Sequence, residues 1–145
     1  MRIKKKLRWI TRRNRGISLD QLVHELNPVL RGWLNYFKLA RMNKRLERLD
    51  SWLRRRIRCF RLKQCKRASG IFRFLRSRGV PDYRIWPLVG SGKGWYGLAC
   101  THASHEAMNL NWFADLGLFS LLANYCLIFK ETAQYESTLS GVRGR

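Results

Sequence analysis

The stretch LDSWLRRRIRCFRLKQCKR (49–67) carries eight cations, Arg54, Arg55, Arg56, Arg58, Arg61, Lys63, Lys66 and Arg67, against one acid, Asp50. Cations at this density suit the phosphate oxygens of a polyanion. The simpler reading of any charge run is a solvated helix face, and such faces are normally balanced by acids one turn away. Only four acids occur among residues 1–80, so that balance is missing and a nucleic-acid surface becomes the better account. Arg outnumbers Lys here, which favours bidentate phosphate contacts and stacking on bases. A membrane surface would also set cations beside apolar residues. Leu53, Ile57 and Phe60, however, have the spacing of a stripe that packs on neighbouring helices.

Other groupings carry weaker chemistry. GSGKG (90–94) lacks the spacing of a phosphate loop, and Lys93 is followed by Gly94 where Ser or Thr is needed. His102-x-x-His105-Glu106 places two imidazoles near Cys100 without a convincing fourth ligand, so capping or hydrogen bonding to RNA is favoured over a metal. Asp20, Asp50, Asp82 and Asp115 are scattered, with no adjacent pair to hold the metals of polymerase chemistry. Cys59, Cys65, Cys100 and Cys126 form no C-x-x-C pair and suggest neither a disulfide framework nor a zinc site. These patterns predict no catalytic residue, no metal and no cofactor.

The elements that position the cations follow from composition and periodicity. In 145 residues, 46% are hydrophobic and 12% aromatic, enough for a packed core and too many for a disordered basic tail. The formal charge of +21 is concentrated: residues 1–80 hold 25 Lys or Arg and 4 acids, whereas residues 81–145 hold 5 of each. A partner-facing surface is therefore predicted in the first 80 residues. The basic start, Met1–Lys6, is not followed by an apolar stretch, which predicts no secretory signal. The longest apolar run, 116–129, is interrupted by Ser120 and Asn124 and is too short to span a bilayer. No membrane association is expected, and a reducing cytoplasm is the expected compartment.

Helical spacing dominates. Ile3, Leu7 and Ile10 predict a helix over 2–13. Ser18 opens SLDQ, a capping-box pattern with Gln21, before a short helix carrying Leu19, Leu22, Val23 and Leu26. Asn27-Pro28 predicts the start of a new helix, reaching about Ala40. The next runs from about Asn43 to Lys66, with Leu46, Leu49, Leu53, Ile57 and Phe60 on one narrow arc and the arginines opposite. Leu62 among those cations, and Trp52 between the faces, suggest contact on a second side. Further on, the pattern predicts a short helix over 71–79 stopped by Gly79, another from Pro81 to about Leu88, and a Gly-rich loop over 90–97. It also predicts a helix capped by Asn109 or Asn111 that ends at Gly117, and an apolar helix over 118–129. The fold class is all-α, a helical bundle without a substantial sheet.

Several distinctive blocks stand in order along this chain: TRRNRGISLDQLV (11–23), ELNPVLRGWLNYFKLA (25–40), LDSWLRRRIRCFRLKQCKR (49–67), GKGWY (92–96), ASH (103–105) and WFADLGLFSLL (112–122). Together they resemble the thumb and maturase-specific (X) region of bacterial group II intron-encoded reverse transcriptase/maturases, over nearly the whole chain except its last twenty or so residues. The resemblance implies a basic thumb/maturase bundle over 1–68, a maturase-specific helical region over 69–136 and a flexible tail over 137–145. It implies a partner, group II intron RNA, whose splicing-competent fold the protein favours while the RNA performs the chemistry. A DNA/RNA template–primer is a further implied partner. The polymerase palm and its Tyr/Phe-x-Asp-Asp strand have no counterpart in this sequence, nor does a zinc-bearing HNH endonuclease. The chain by itself is therefore expected not to be an enzyme, but a piece of a split or truncated reading frame or a decayed remnant.

Arg54, Arg55, Arg58, Arg61, Lys63, Lys66 and Arg67 are the expected RNA contacts. Arg12, Arg13, Arg31, Lys38 and Arg41 extend that surface. Trp33, Phe37, Leu53, Ile57 and Phe60 are assigned to the core, and Trp95 and Tyr96 either stack on an exposed base or lie under the bundle. Two alternatives remain: the thumb of a split reverse transcriptase whose palm is a separate chain, and a general basic nucleic-acid-binding module.

Overall fold

The computed structural model describes residues 2–37, 43–92, 94–128 and 130. Helices dominate these residues, and no strand occurs among them, in agreement with the all-α expectation. In chain order they are α1 (Arg2–Ile10), α2 (Leu19–Phe37), α3 (Asn43–Gln64), α4 (Ala68–Ser77), α5 (Asp82–Val89), α6 (Trp95–Ala99), α7 (His102–Ala107) and α8 (Leu110–Asp115), followed by α9 (121–128).

α1 buries Ile3, Leu7 and Ile10, as their spacing requires. It stops before the predicted Arg13: Thr11 N makes a last helical bond to Leu7 O, and side chains reach back to the final carbonyls. The Thr11 hydroxyl donates to Leu7 O at 2.6 Å and the Arg15 guanidinium donates to Ile10 O at 3.0 Å. Arg15 also pairs with Glu25, which ties this turn to α2.

The predicted break at Asn27-Pro28 does not occur. α2 passes through Pro28 as one helix, and Leu22, Leu26, Leu30 and Leu34 form a single buried stripe across it. Burying that stripe outweighs the hydrogen bond that proline removes. Asn27 does not cap a helix. Its amide donates to Gly117 O and its carbonyl accepts from Phe119 N, both at 2.8 Å, fastening α2 to the turn after α8.

α3 is the central element. One side buries Leu46, Leu49, Leu53, Ile57 and Phe60, and Cys59 and Leu62 are buried too. The second contact expected from Leu62 is therefore real, and α6 packs along α3. α4 begins at Ala68, earlier than predicted, after Lys66 takes a left-handed φ of 62°. Gly70 lets α4 approach the end of α3, since a Cβ there would stand 2.4 Å from Cys65 O. Gly79, at φ 88°, terminates α4 with Val80 N bonded to Leu75 O.

Asn109 caps α8, its side chain accepting from Trp112 N at 3.0 Å. α9 starts at residue 121, later than predicted, because Phe119 N is already bonded to Asn27. Its cap comes from far away in sequence: the Asp50 carboxylate accepts from Leu121 N, Leu122 N and the Ser120 hydroxyl at 2.9–3.2 Å. One hydrophobic core runs from Ile3 to Tyr125, across residue 68. The expected tail, 137–145, lies outside the described residues.

Candidate nucleic-acid interface

α1 and α3 are held side by side by polar contacts that also arrange their cations. Arg56 donates from Nε to the Thr11 hydroxyl at 2.7 Å and from a terminal nitrogen to Arg8 O at 3.3 Å. Around Trp52, Lys4, Arg8 and Arg56 stand 5.3, 5.6 and 5.4 Å from the ring centroid. The negative ring face offsets part of the repulsion among three cations at that distance. Arg12 lies 3.7 Å from the ring centroid of the exposed Trp9, a cation–π contact that favours this position of its guanidinium.

Two depressions flank this seam. A cleft of about 400 Å³ is lined by Arg12, Arg13, Arg56 and Lys63, with Thr11 and Tyr96. An open groove of about 530 Å³ is bounded by Lys44, Arg48, Trp52 and Arg55, with Glu47 beside them. Arg55 connects the two, donating to the Tyr96 hydroxyl at 2.9 Å. Its Nε is buried without a hydrogen-bond partner among the described residues. The ion pairs of the described residues are Arg15–Glu25, Arg76–Asp82 and Arg84–Glu106. None of them uses a cation of α3, so the imbalance visible in composition persists in space.

The expected contact residues separate into three groups. Arg13, Arg31, Lys66 and Arg67 are exposed, and Arg12, Arg54, Arg55, Arg61 and Lys63 are half-buried. Of the half-buried ones, Arg54 donates to the Ser51 hydroxyl at 3.2 Å. Arg61 is engaged in packing, 4.0 Å from the Phe74 ring centroid and 3.4 Å from the Cys65 sulfur. Arg31 is remote from the cleft, over Phe119. Lys38 and Arg41 lie outside the described residues.

Arg58 requires a correction. It was expected among the phosphate contacts, yet it is only 6% exposed. The chain after α6 covers that side of α3, and Arg58 Nε donates to Met108 O at 3.0 Å with its guanidinium 5.1 Å from the Phe113 ring centroid. Burial, and then the charges of Arg54 and Arg55, pull its pKa down to about 10. Arg58 remains a cation at neutral pH, but its work is to join α3 to the α7–α8 turn. In the same way Arg56 is pulled down by burial, with the Cys59 thiol acting in the opposite direction and Arg8 and Arg13 reinforcing the effect.

Trp95 is half-buried against the core and its carbonyl accepts from the Cys59 thiol at 3.6 Å. Tyr96 is 55% exposed and borders the cleft, so of the two aromatics it is the one open to a base. His105 is pushed below the ordinary imidazole value by burial and by Arg58, Arg55, His102 and Arg54. The shift favours its neutral form. Among the described residues no group of three or more His, Cys, Asp or Glu is placed to hold a metal ion, and no helix is long and apolar enough to cross a membrane.

Lys4, Arg8, Arg56 and Trp52 belong to this surface although they were not among the expected contacts. The run Lys4–Lys6 was plain in composition, but nothing local says that α1 lies against α3.

The described residues form a helical fold with a basic seam between α1 and α3, and comparison with known families defines the chain further. Residues 1–79 match the family described as group II intron, maturase-specific domain. That is more than half of the chain, and it takes in α1 to α4 with both depressions of the basic seam except for Tyr96. The chain belongs to this family, which bears out the resemblance seen in its sequence. No curated protein matches the chain.

Proposed function

We propose that the chain binds structured group II intron RNA through the seam between α1 and α3, and favours the RNA's splicing-competent fold. The observation that supports this most strongly is the coincidence of the family match with the acid-poor part of the chain. Cations without acidic partners keep their charge available for phosphate, which supplies affinity and steep salt dependence. In this reading the RNA carries out splicing and the chain contributes binding energy, so it is not itself an enzyme. A shift towards the active fold requires tighter binding to that fold than to its competitors.

Competition binding at matched salt tests this. Folded intron RNA should displace a labelled complex at lower concentration than random duplex of equal length. Equal displacement would reduce the chain to a general basic module.

A further inference from the structure

The cleft between the end of α1, α3 and the start of α6 is more specific than a charged surface requires. Arg12, Arg13, Arg56 and Lys63 converge on it, and no acid lines it. Like charges gathered in a recess repel one another unless an anion joins them. Two of the four are held before any ligand arrives: Arg12 by its cation–π contact with Trp9, and Arg56 by the Thr11 hydroxyl and Arg8 O. Such fixing lowers the ordering cost of binding.

At about 400 Å³ the cleft has room for much more than a phosphate group, and its size is that of a small-molecule pocket. Tyr96 supplies an aromatic ring at its border. Arg55 holds that ring, donating to its hydroxyl at 2.9 Å with the guanidinium 5.6 Å from the ring centroid.

We propose that this cleft takes a single unstacked nucleotide of the bound RNA, its phosphate held by Arg13, Lys63 and the guanidinium of Arg12, and its base laid against Tyr96. The inference rests on the RNA-binding reading and adds to it a defined point of engagement. A continuous helical backbone would need only the open seam. A half-open cationic recess beside an aromatic ring suits a nucleotide turned out of its stack.

Titration calorimetry of the whole chain at low salt, with AMP, inorganic phosphate and adenosine as probes, tests the idea. AMP should bind about tenfold more tightly than phosphate, the difference being base stacking, and adenosine should bind more weakly than AMP. Arg13→Gln and Lys63→Gln should each weaken AMP binding about tenfold through loss of a charge-assisted hydrogen bond. Arg73→Gln, at an exposed position of α4 outside the cleft, should leave it unchanged. Tyr96→Leu should bring AMP to the level of phosphate.

Equal binding of AMP and phosphate by the unaltered chain would overturn the proposal, as would equal losses from Arg73→Gln and Lys63→Gln. The AMP-to-phosphate comparison decides even if a variant fails to fold. If AMP does not bind while folded intron RNA is still preferred over duplex, the pocket is wrong and the RNA-binding reading stands. If AMP binds as described and the RNA preference is absent, the intron reading fails instead.

Discussion

α1 to α3 and the helices from α4 onward differ sharply in charge, yet they share one core. The first region carries most of the unbalanced cations, and residues 81–145 are neutral. α3 belongs to both. Its apolar stripe faces the bundle, part of its cationic side opens towards α1, and another part lies beneath the chain from α6 to α8. Charge alone therefore does not define a binding surface. Two arginines of one helix have different uses when one is fully covered and the other only in part. Arg58 is a buried connector, whereas Arg55 borders a groove.

The contrast can be broken most severely at the junction of the two regions. Asp50 lies in the cationic helix but serves the neutral region, accepting from two backbone N–H groups and a hydroxyl at the start of α9. Asp50→Ala should cost about 2–3 kcal/mol, since it removes a charged cap and leaves buried donors unsatisfied. Urea unfolding would measure it, with Asp50→Asn recovering part of the loss. A change below a few tenths of a kcal/mol would show that α9 holds without this cap.

A smaller effect is expected at Arg58. Arg58→Ala should destabilise by about 1–2 kcal/mol, because Met108 O loses its donor and Phe113 loses packing. The loss is moderated because the guanidinium is desolvated and lies near Arg54 and Arg55. Arg58→Met, which keeps the aliphatic volume, should cost less than Arg58→Ala. A larger loss from Met than from Ala would refute a packing role.

Much of this was legible in the sequence. The stripe Leu46, Leu49, Leu53, Ile57 and Phe60 was read correctly because helical periodicity is local. The Asn109 cap and the Gly79 stop are local signals as well. The misreadings that bear on the site, at Asn27 and Arg58, have one physical origin, contacts made by residues far apart in the chain. Asn27 looks like a cap until Gly117 and Phe119 claim its side chain. Arg58 looks like a phosphate ligand on a helical wheel, which contains no Met108 or Phe113. The placement of Lys4, Arg8 and Arg56 around Trp52 likewise depends on how α1 lies on α3. The family blocks include the region that the family match covers, but they could not separate covered cations from open ones.

The most direct test of the central claim is the salt dependence of RNA binding. Arg12, Arg13 and Lys63, which all line the cleft, changed together to Gln should reduce the slope of log affinity against log salt by about 2, at about 0.7 per lost contact on single-stranded RNA. Arg58→Met, measured alongside, should keep the wild-type slope. An unchanged slope in the folded triple variant, or a fall in Arg58→Met equal to that of the triple variant, would contradict the assignment of the α1–α3 seam as the RNA-binding face.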